Sequence, residues 1–115
     1  MRGKSGDKIR LQHILDAILE IESYLDFQDF DDFMANSMMR FACIKQMEII
    51  GEASNHISDE TKNSFSSIQW AQIVGMRNVL VHEYFGIDAA LVWDIIRHDI
   101  PELKTKIQIV LESMD

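Results

Sequence analysis

Residues 11–18 read LQHILDAI, and apolar side chains recur in this stretch at intervals of three and four residues. This spacing matches the α-helical turn of about 3.6 residues, so the stretch predicts an amphipathic helix with one buried face. The apolar stripe continues to Leu25, and Asp7 is a suitable N-cap. We therefore predict a first helix from Asp7 to about Tyr24, preceded by a flexible lead over residues 1–6.

The remainder of the chain has a similar helical pattern. We predict a second, long helix from about Asp31 to Ile57, a third starting at about Trp70, and a fourth capped by Asp88. The single proline, Pro101, is expected to kink or restart the last helix. A length of 115 residues, a hydrophobic content of 47% and a single proline together predict one all-α domain, a four- to five-helix up-and-down bundle.

The single cysteine and the distribution of charges bear on localisation. Cys43 has no second cysteine with which to form an internal disulfide, so we expect a reducing, cytoplasmic environment and a buried, unreactive thiol. Charged residues interrupt the apolar start of the chain, and no later apolar run has the length of a membrane span. We therefore expect no association with a membrane.

The sequence has no pattern typical of a metal or cofactor site. The histidines outside the central motif, His13, His56 and His98, are dispersed and have no partner at ligand spacing. The chain also lacks the glycine-rich loop that binds nucleotide phosphates. We expect no metal and no cofactor.

Residues 77–84 read RNVLVHEY and combine a permanent cation, an imidazole and a phenol in an otherwise apolar stretch. These groups suit phosphate chemistry, because a guanidinium neutralises an anion and an imidazole transfers protons near neutral pH. On one helix Arg77 and Tyr84 lie within roughly 20° of each other, whereas Arg77 and His82 differ by roughly 140°. Either the helix loosens near His82, or a second copy of the chain contributes to the same site.

The motif and several shorter sequence segments resemble those of the HepT-like branch of the HEPN superfamily. Arg77 to Tyr84 match its R-x-x-x-x-H-x-Y motif, including the asparagine after the arginine. The resemblance extends over nearly the whole chain and also rests on RLQHIL at residues 10–15, IGEA at 50–53, Trp70, GMRN at 75–78 and VWD at 92–94. Gln69 differs from the proline that family members often have before this tryptophan.

The resemblance implies a homodimeric helical bundle that acts as a toxin with metal-independent ribonuclease activity. It also implies a partner antitoxin, an MntA-like minimal nucleotidyltransferase, which silences the toxin by transferring AMP to the motif tyrosine, here Tyr84. Near Gly51, Glu52 and Asn55 are candidates to hydrogen-bond Arg77 or His82 across the bundle, or to face water. The family pattern favours Glu52.

The formal net charge of −8 is unfavourable for binding RNA, because cations supply most of the affinity for phosphates and a uniformly acidic surface would repel the strand. The charge is nevertheless polarised. The first ten positions contain the basic residues Arg2, Lys4, Lys8 and Arg10, and the end of the first helix is followed by the acidic residues Asp26, Asp29, Asp31 and Asp32. We interpret both groups as solvated helix ends. The alternative is that the basic N-terminus helps to hold RNA or the partner.

The sequence thus predicts the toxin of a type VII-like toxin–antitoxin pair, an endoribonuclease with Arg77 and His82 as catalytic residues. Asn78 is expected to orient the imidazole or contact phosphate, and Tyr84 to bind RNA or accept the nucleotide. A second function stays open at this point. The chain could be a non-catalytic dimeric module that docks a nucleotidyltransferase, and its acidic charge favours this interpretation.

Overall fold

The computed structural model describes the backbone of residues 2–82 and 88–114, and it describes all side chains in these ranges except those of residues 2–5, 77–79, 81 and 82. Every regular element in the described ranges is helical, which confirms the all-α prediction. In chain order the elements are α1 (Arg2–Tyr24), α2 (Phe30–Ala35), α3 (Ser37–Asn55), α4 (Asp59–Ser64), α5 (Trp70–His82), α6 (Ala89–Asp94), a π-helical segment (Ile95–Asp99) and α7 (Ile100–Ser113).

Helix α1 lies at the centre of the bundle, where it packs against both α3 and α7. The predicted stripe is its buried face: Leu11, Ile14 and Ile18 are all 0% exposed. Complete burial of each such side chain stabilises the fold by about 1.5–3 kcal/mol. The rest of the core comes mainly from α3 and α7 and includes Cys43, Ile44, Met47, Ile50, Leu103, Ile107 and Val110.

Polar contacts show that α1 and α3 run antiparallel. At the end of α1, the Tyr24 hydroxyl accepts a hydrogen bond from Gln46 Nε2 at 3.1 Å. Near the start of α1, Asp7 bonds to Ser58, which lies just beyond the end of α3. Helix α3 also packs against α5, and it therefore connects the first helix with the helix that carries the central motif.

The start of the first helix differs from the prediction. Helix α1 begins at Arg2 and includes most of the segment that we expected to be a flexible lead. The prediction that Asp7 is the N-cap is wrong, because Asp7 lies inside the helix and is 0% exposed. Its carboxylate accepts hydrogen bonds from the Ser58 backbone N–H at 2.9 Å, and from the Ser58 and Thr61 hydroxyls at 2.5 Å each.

These bonds determine the ionisation of Asp7. Burial by itself would raise the pKa of its carboxyl group, but the hydrogen bonds from Ser58 and Thr61, with the nearby Arg10 guanidinium, lower the pKa below its ordinary value. The carboxylate is therefore ionised at neutral pH. It joins α1 to the first turn of α4.

The predicted second helix is divided in two. Asn36 lies between α2 and α3 with an extended backbone, φ −121° and ψ 96°, and its side chain accepts a hydrogen bond from the Met39 N–H at 3.0 Å. Asparagine favours such a cap because its short side chain competes with helical backbone bonding. The acidic cluster has a similar role, since Asp29 and Asp32 form a reciprocal capping box at the start of α2.

The later boundaries agree more closely with the sequence. Helix α5 begins at Trp70, and Asp88 caps α6 by accepting a hydrogen bond from the Leu91 N–H at 3.1 Å. Pro101 lies in the first turn of α7, directly after the π-helical segment. Proline has no backbone N–H and cannot donate the hydrogen bond that an α-helix requires at this position. The wider π turn before it is one way to accommodate the missing bond without ending the helix.

We predict that Asp7→Asn lowers the free energy of unfolding at pH 7 by about 1–3 kcal/mol, because the amide places a donor opposite hydroxyl and N–H donors in a buried site. The lowered pKa means that the ionised carboxylate stabilises the fold above the unfolded-chain value of about 3.9, and that this stabilisation is lost as the pH falls through the folded value. The free energies of unfolding of wild type and Asp7→Asn should therefore become more similar as the pH is lowered.

Urea unfolding at pH 7 and at pH values down to about 3 measures both effects. Asp16→Asn is the matched control, since Asp16 is exposed on the same helix and accepts one bond from Gln12 at 2.9 Å. Equal unfolding midpoints for wild type and Asp7→Asn at pH 7 would contradict the prediction.

Candidate active site

The central motif begins in the second half of α5. The backbone of Arg77, Asn78 and His82 belongs to this helix, while their side chains lie outside the described part of the structure. Tyr84, and Gly86 with its predicted helix end, also lie outside the described residues. The contacts of these four predicted site side chains therefore stay predictions.

Two buried side chains fix the position of α5. Trp70, in its first turn, is 8% exposed, and its indole N–H donates to the Phe65 carbonyl at 3.2 Å. Leu80, which lies between Arg77 and His82 in the sequence, is 2% exposed and belongs to the core. Because the motif-bearing turn is attached to the core through Leu80, the fold determines the rotation of α5 about its own axis.

The backbone of α5 bears on the two alternatives left open by the sequence. The helix remains α-helical through His82, with no loosened turn between Arg77 and His82. Backbone positions 77 and 82 consequently keep the separation of about 140° around the axis that an α-helix imposes. This geometry favours the alternative in which a second copy completes the site.

Glu52 and Asn55 are the predicted polar neighbours of the motif on α3. Both side chains are exposed, whereas the adjacent Gly51 is buried, as the expected close packing at this glycine requires. Glu52 pairs along its own helix: its Oε1 lies 2.9 Å from Nε2 of His56, one helical turn further on. A role for Glu52 in orienting Arg77 or His82 stays a prediction.

Cys43 is not suited to act as a nucleophile. Its side chain is 0% exposed, and burial raises the pKa of the thiol to about 11. A thiol with this pKa is almost entirely protonated at neutral pH, and only the thiolate is reactive. The prediction from the sequence that Cys43 is a buried thiol is confirmed.

The sequence analysis missed one grouping of polar side chains. His13 and His56, treated above as dispersed, line one groove between α1 and α3 together with Arg10 and Glu52. Only the antiparallel packing of α1 and α3 brings them together, so sequence spacing gave no indication of it. Among the side chains that the structure describes, no group of three or more His, Cys, Asp or Glu is placed to hold a metal ion.

Comparison with known proteins identifies the family. A family model described as ribonuclease HepT-like matches residues 14–110, from α1 to α7. The chain belongs to the HepT-like ribonuclease family. The match includes the whole RNVLVHEY stretch, so the motif is part of the region that defines membership.

Several relatives are similar over most of their length. A Methanocaldococcus jannaschii protein that is provisionally named an RNase is 39% identical to this chain over 107 residues, which cover 93% of this chain and 98% of the relative. A Thermococcus cleftensis protein provisionally named ribonuclease HepT is 38% identical over 105 residues, with coverages of 91% and 96%. No solved structure matches the chain.

Family membership supports a ribonuclease activity and agrees with the chemistry predicted from the HepT-like motif. It also confirms the resemblance found in the sequence. None of the helices within residues 2–82 and 88–114 combines the length and hydrophobicity needed to cross a bilayer.

We predict that Leu80→Ala lowers the free energy of unfolding by about 2–5 kcal/mol, because it leaves a cavity where α5 meets the core. Leu91→Ala is the matched control: it removes the same atoms from a side chain that is 43% exposed, and it should have a much smaller effect. Urea unfolding of the two variants beside wild type gives the comparison. Similar losses of stability in both variants would mean that Leu80 does not anchor α5.

Proposed function

We propose that this chain is the toxin of a type VII-like toxin–antitoxin pair, and that it acts as a metal-independent endoribonuclease. The observation that carries the proposal is an intact R-x-x-x-x-H-x-Y motif, Arg77 to Tyr84, inside the region matched by the HepT-like ribonuclease family. A ribonuclease needs a group that transfers protons and a cation that stabilises the charge of the transition state. The motif contains both.

In the proposed reaction, the 2′-hydroxyl of RNA attacks the adjacent phosphorus. The P–O5′ bond breaks, which leaves a 2′,3′-cyclic phosphate on one fragment and a 5′-hydroxyl on the other. The 2′-hydroxyl proton passes to a base, an acid protonates the departing O5′, and His82 serves in one of these roles. Arg77 stabilises the negative charge that develops on the phosphorane oxygens. Asn78 orients the imidazole or contacts the phosphate.

A homodimer supplies the second proton-transfer group. Each motif contains one histidine, whereas cleavage benefits from both a base and an acid. The unbroken α-helix through His82 supports this assembly, because it keeps backbone positions 77 and 82 well apart around the axis of α5. In a two-fold dimer, Arg77 of one copy and His82 of the other can act on one phosphate.

Regulation by a partner completes the proposal. An MntA-like nucleotidyltransferase transfers AMP from ATP to Tyr84: the phenol oxygen attacks the α-phosphorus and pyrophosphate leaves. In an α-helical register Tyr84 follows Arg77 by about two turns on nearly the same face. The added adenylyl group would then occupy the phosphate site and block the binding of RNA.

We predict that purified protein cuts a mixed cellular RNA pool in excess EDTA, and that His82→Ala or Arg77→Ala reduces the rate by about 10²–10⁴-fold. The control is His98→Ala, since His98 is an exposed imidazole on the π-helical segment and lies 3.3 Å from Asp94. This variant should keep the wild-type rate. If the protein does not cut RNA, or if His82→Ala cuts as fast as wild type, the motif is a docking and modification site and the chain is a non-catalytic interaction module.

We further predict that protein carrying AMP on Tyr84 cuts RNA much more slowly than unmodified protein. The Tyr84→Phe variant should not be modified by the partner nucleotidyltransferase. The Tyr24→Phe variant should still be modified, because it keeps Tyr84 and changes only a partly buried core tyrosine at the end of α1. Intact-mass spectrometry detects the added AMP, and an RNA cleavage assay measures its effect on the cleavage rate. Equal cleavage by both forms would rule out silencing through this tyrosine.

A further inference from the structure

The groove between α1 and α3 has a volume of about 410 Å³, and one arginine and two histidines are among the side chains that line it. Helix α1 contributes Arg10 and His13 to its lining, and α3 contributes Glu52, with His56 at its C-terminal end. Apolar side chains, including Ile9, form the rest of the surface. Neither the motif on α5 nor the hydrophobic core accounts for this grouping of side chains.

The guanidinium of Arg10 lies beside Gly6 and the buried Asp7 at one end of the groove. Its guanidinium lies over Gly6 one turn earlier, so that a Cβ atom at Gly6 would come within 2.5 Å of Nη1 of Arg10. Glycine therefore leaves the space that the guanidinium occupies. The buried Asp7 carboxylate also attracts Arg10 electrostatically, while its hydrogen bonds come from Ser58 and Thr61. Within the described part of the chain the guanidinium donates no hydrogen bond, and its donors can therefore reach a phosphate oxygen.

The described lining of the groove combines one formal positive charge, on Arg10, with one formal negative charge, on Glu52. Glu52 is the one carboxylate among its described lining residues, and it is hydrogen-bonded to His56. His13, on the α1 side, can donate a hydrogen bond through a ring nitrogen. His56 has its Nε2 beside Glu52 Oε1, so it can donate to a further acceptor through Nδ1 only as an imidazolium. A guanidinium with two imidazoles matches a phosphate group, for which arginine is the preferred partner.

The groove lies one helix away from the helix that carries the motif. Helix α3 lines the groove and packs against α5, so one helix separates the groove from the helix that carries Arg77 and His82. The width of one helix, about 10 Å, corresponds to a few nucleotides of an RNA strand at roughly 3.4 Å each. The groove and the helix that carries the motif therefore both adjoin α3.

We propose that the groove between α1 and α3 binds the phosphate backbone of single-stranded RNA next to the cleaved bond, through Arg10, His13 and His56. The inference rests on the proposed ribonuclease function and extends it by assigning a second contact region for the substrate.

The test measures RNA binding separately from cleavage. All variants are made in full-length His82→Ala protein, and fluorescence anisotropy follows a labelled single-stranded RNA of about 12 nucleotides. The double substitution R10Q/H13Q should weaken binding at least about tenfold and reduce the slope of log affinity against log salt by about 0.7 for each phosphate that the protein no longer neutralises. The matched control is R97Q/H98Q, which also removes one arginine and one histidine.

Arg97 and His98 make a suitable control because both are exposed on the π-helical segment, away from the groove. The Arg97 guanidinium lies 5.4 Å from the centroid of the Trp93 ring, and His98 pairs with Asp94. A third variant, G6A, displaces the Arg10 guanidinium without removing its charge. Since alanine favours helix formation over glycine, weaker RNA binding by G6A could not be attributed to an unfolded α1.

The outcomes separate this inference from the proposed function. If wild-type protein cuts RNA but R10Q/H13Q binds it as well as R97Q/H98Q does, the groove is not an RNA site and the ribonuclease proposal stands. If R10Q/H13Q and G6A weaken binding while wild-type protein cuts no RNA, the groove is an RNA site and the ribonuclease proposal is wrong. The absence of measurable RNA binding by the His82→Ala protein would overturn the groove proposal.

Discussion

The buried carboxylate of Asp7 is the constraint on which the arrangement of the bundle depends. An ionised group out of contact with water is tolerated only where hydrogen bonds replace its hydration, and Ser58 and Thr61 supply those bonds. Because the donors lie just beyond α3, they fix how far α1 can slide along α3. The buried stripe of α1 then meets the core residues of α3, and α3 is placed to pack against α5.

Helix α3 occupies the middle of the functional arrangement. It packs against the motif-bearing helix, and it also lines the groove that contains Arg10 and His13. An acidic protein that acts on RNA must gather its cations where the strand passes, because a dispersed positive charge would be cancelled by nineteen acidic residues. The antiparallel contact of α1 and α3 brings Arg10 and His13 to one groove with His56 and Glu52. The Asp29–Asp32 capping box places part of the acidic charge at the start of α2.

The sequence predicted those features that depend on local patterns. Apolar spacing gave the helical class and the end of α1 at Tyr24, and the Asp88 cap followed from its side-chain chemistry. The family motif also indicated the ribonuclease class, because the order of its residues is specific. Long-range contacts explain the failures: Asp7 looks like a helix cap until Ser58 and Thr61 are brought beside it. Asn36 was overlooked because the apolar spacing continues across it. His13 and His56 appeared unrelated because only the packing of α1 on α3 brings them together.

The attachment of α1 has a consequence for the order in which the molecule forms. The donors to Asp7 lie 51 and 54 residues further along the chain, so the contact closes a long loop and belongs to the slow, non-local part of folding. A chain emerging from the ribosome carries its basic N-terminus well before residues 58–61 exist to hold α1 in register. The groove is therefore a property of the finished chain. A nascent or truncated chain has the cations but lacks the surface that aligns them.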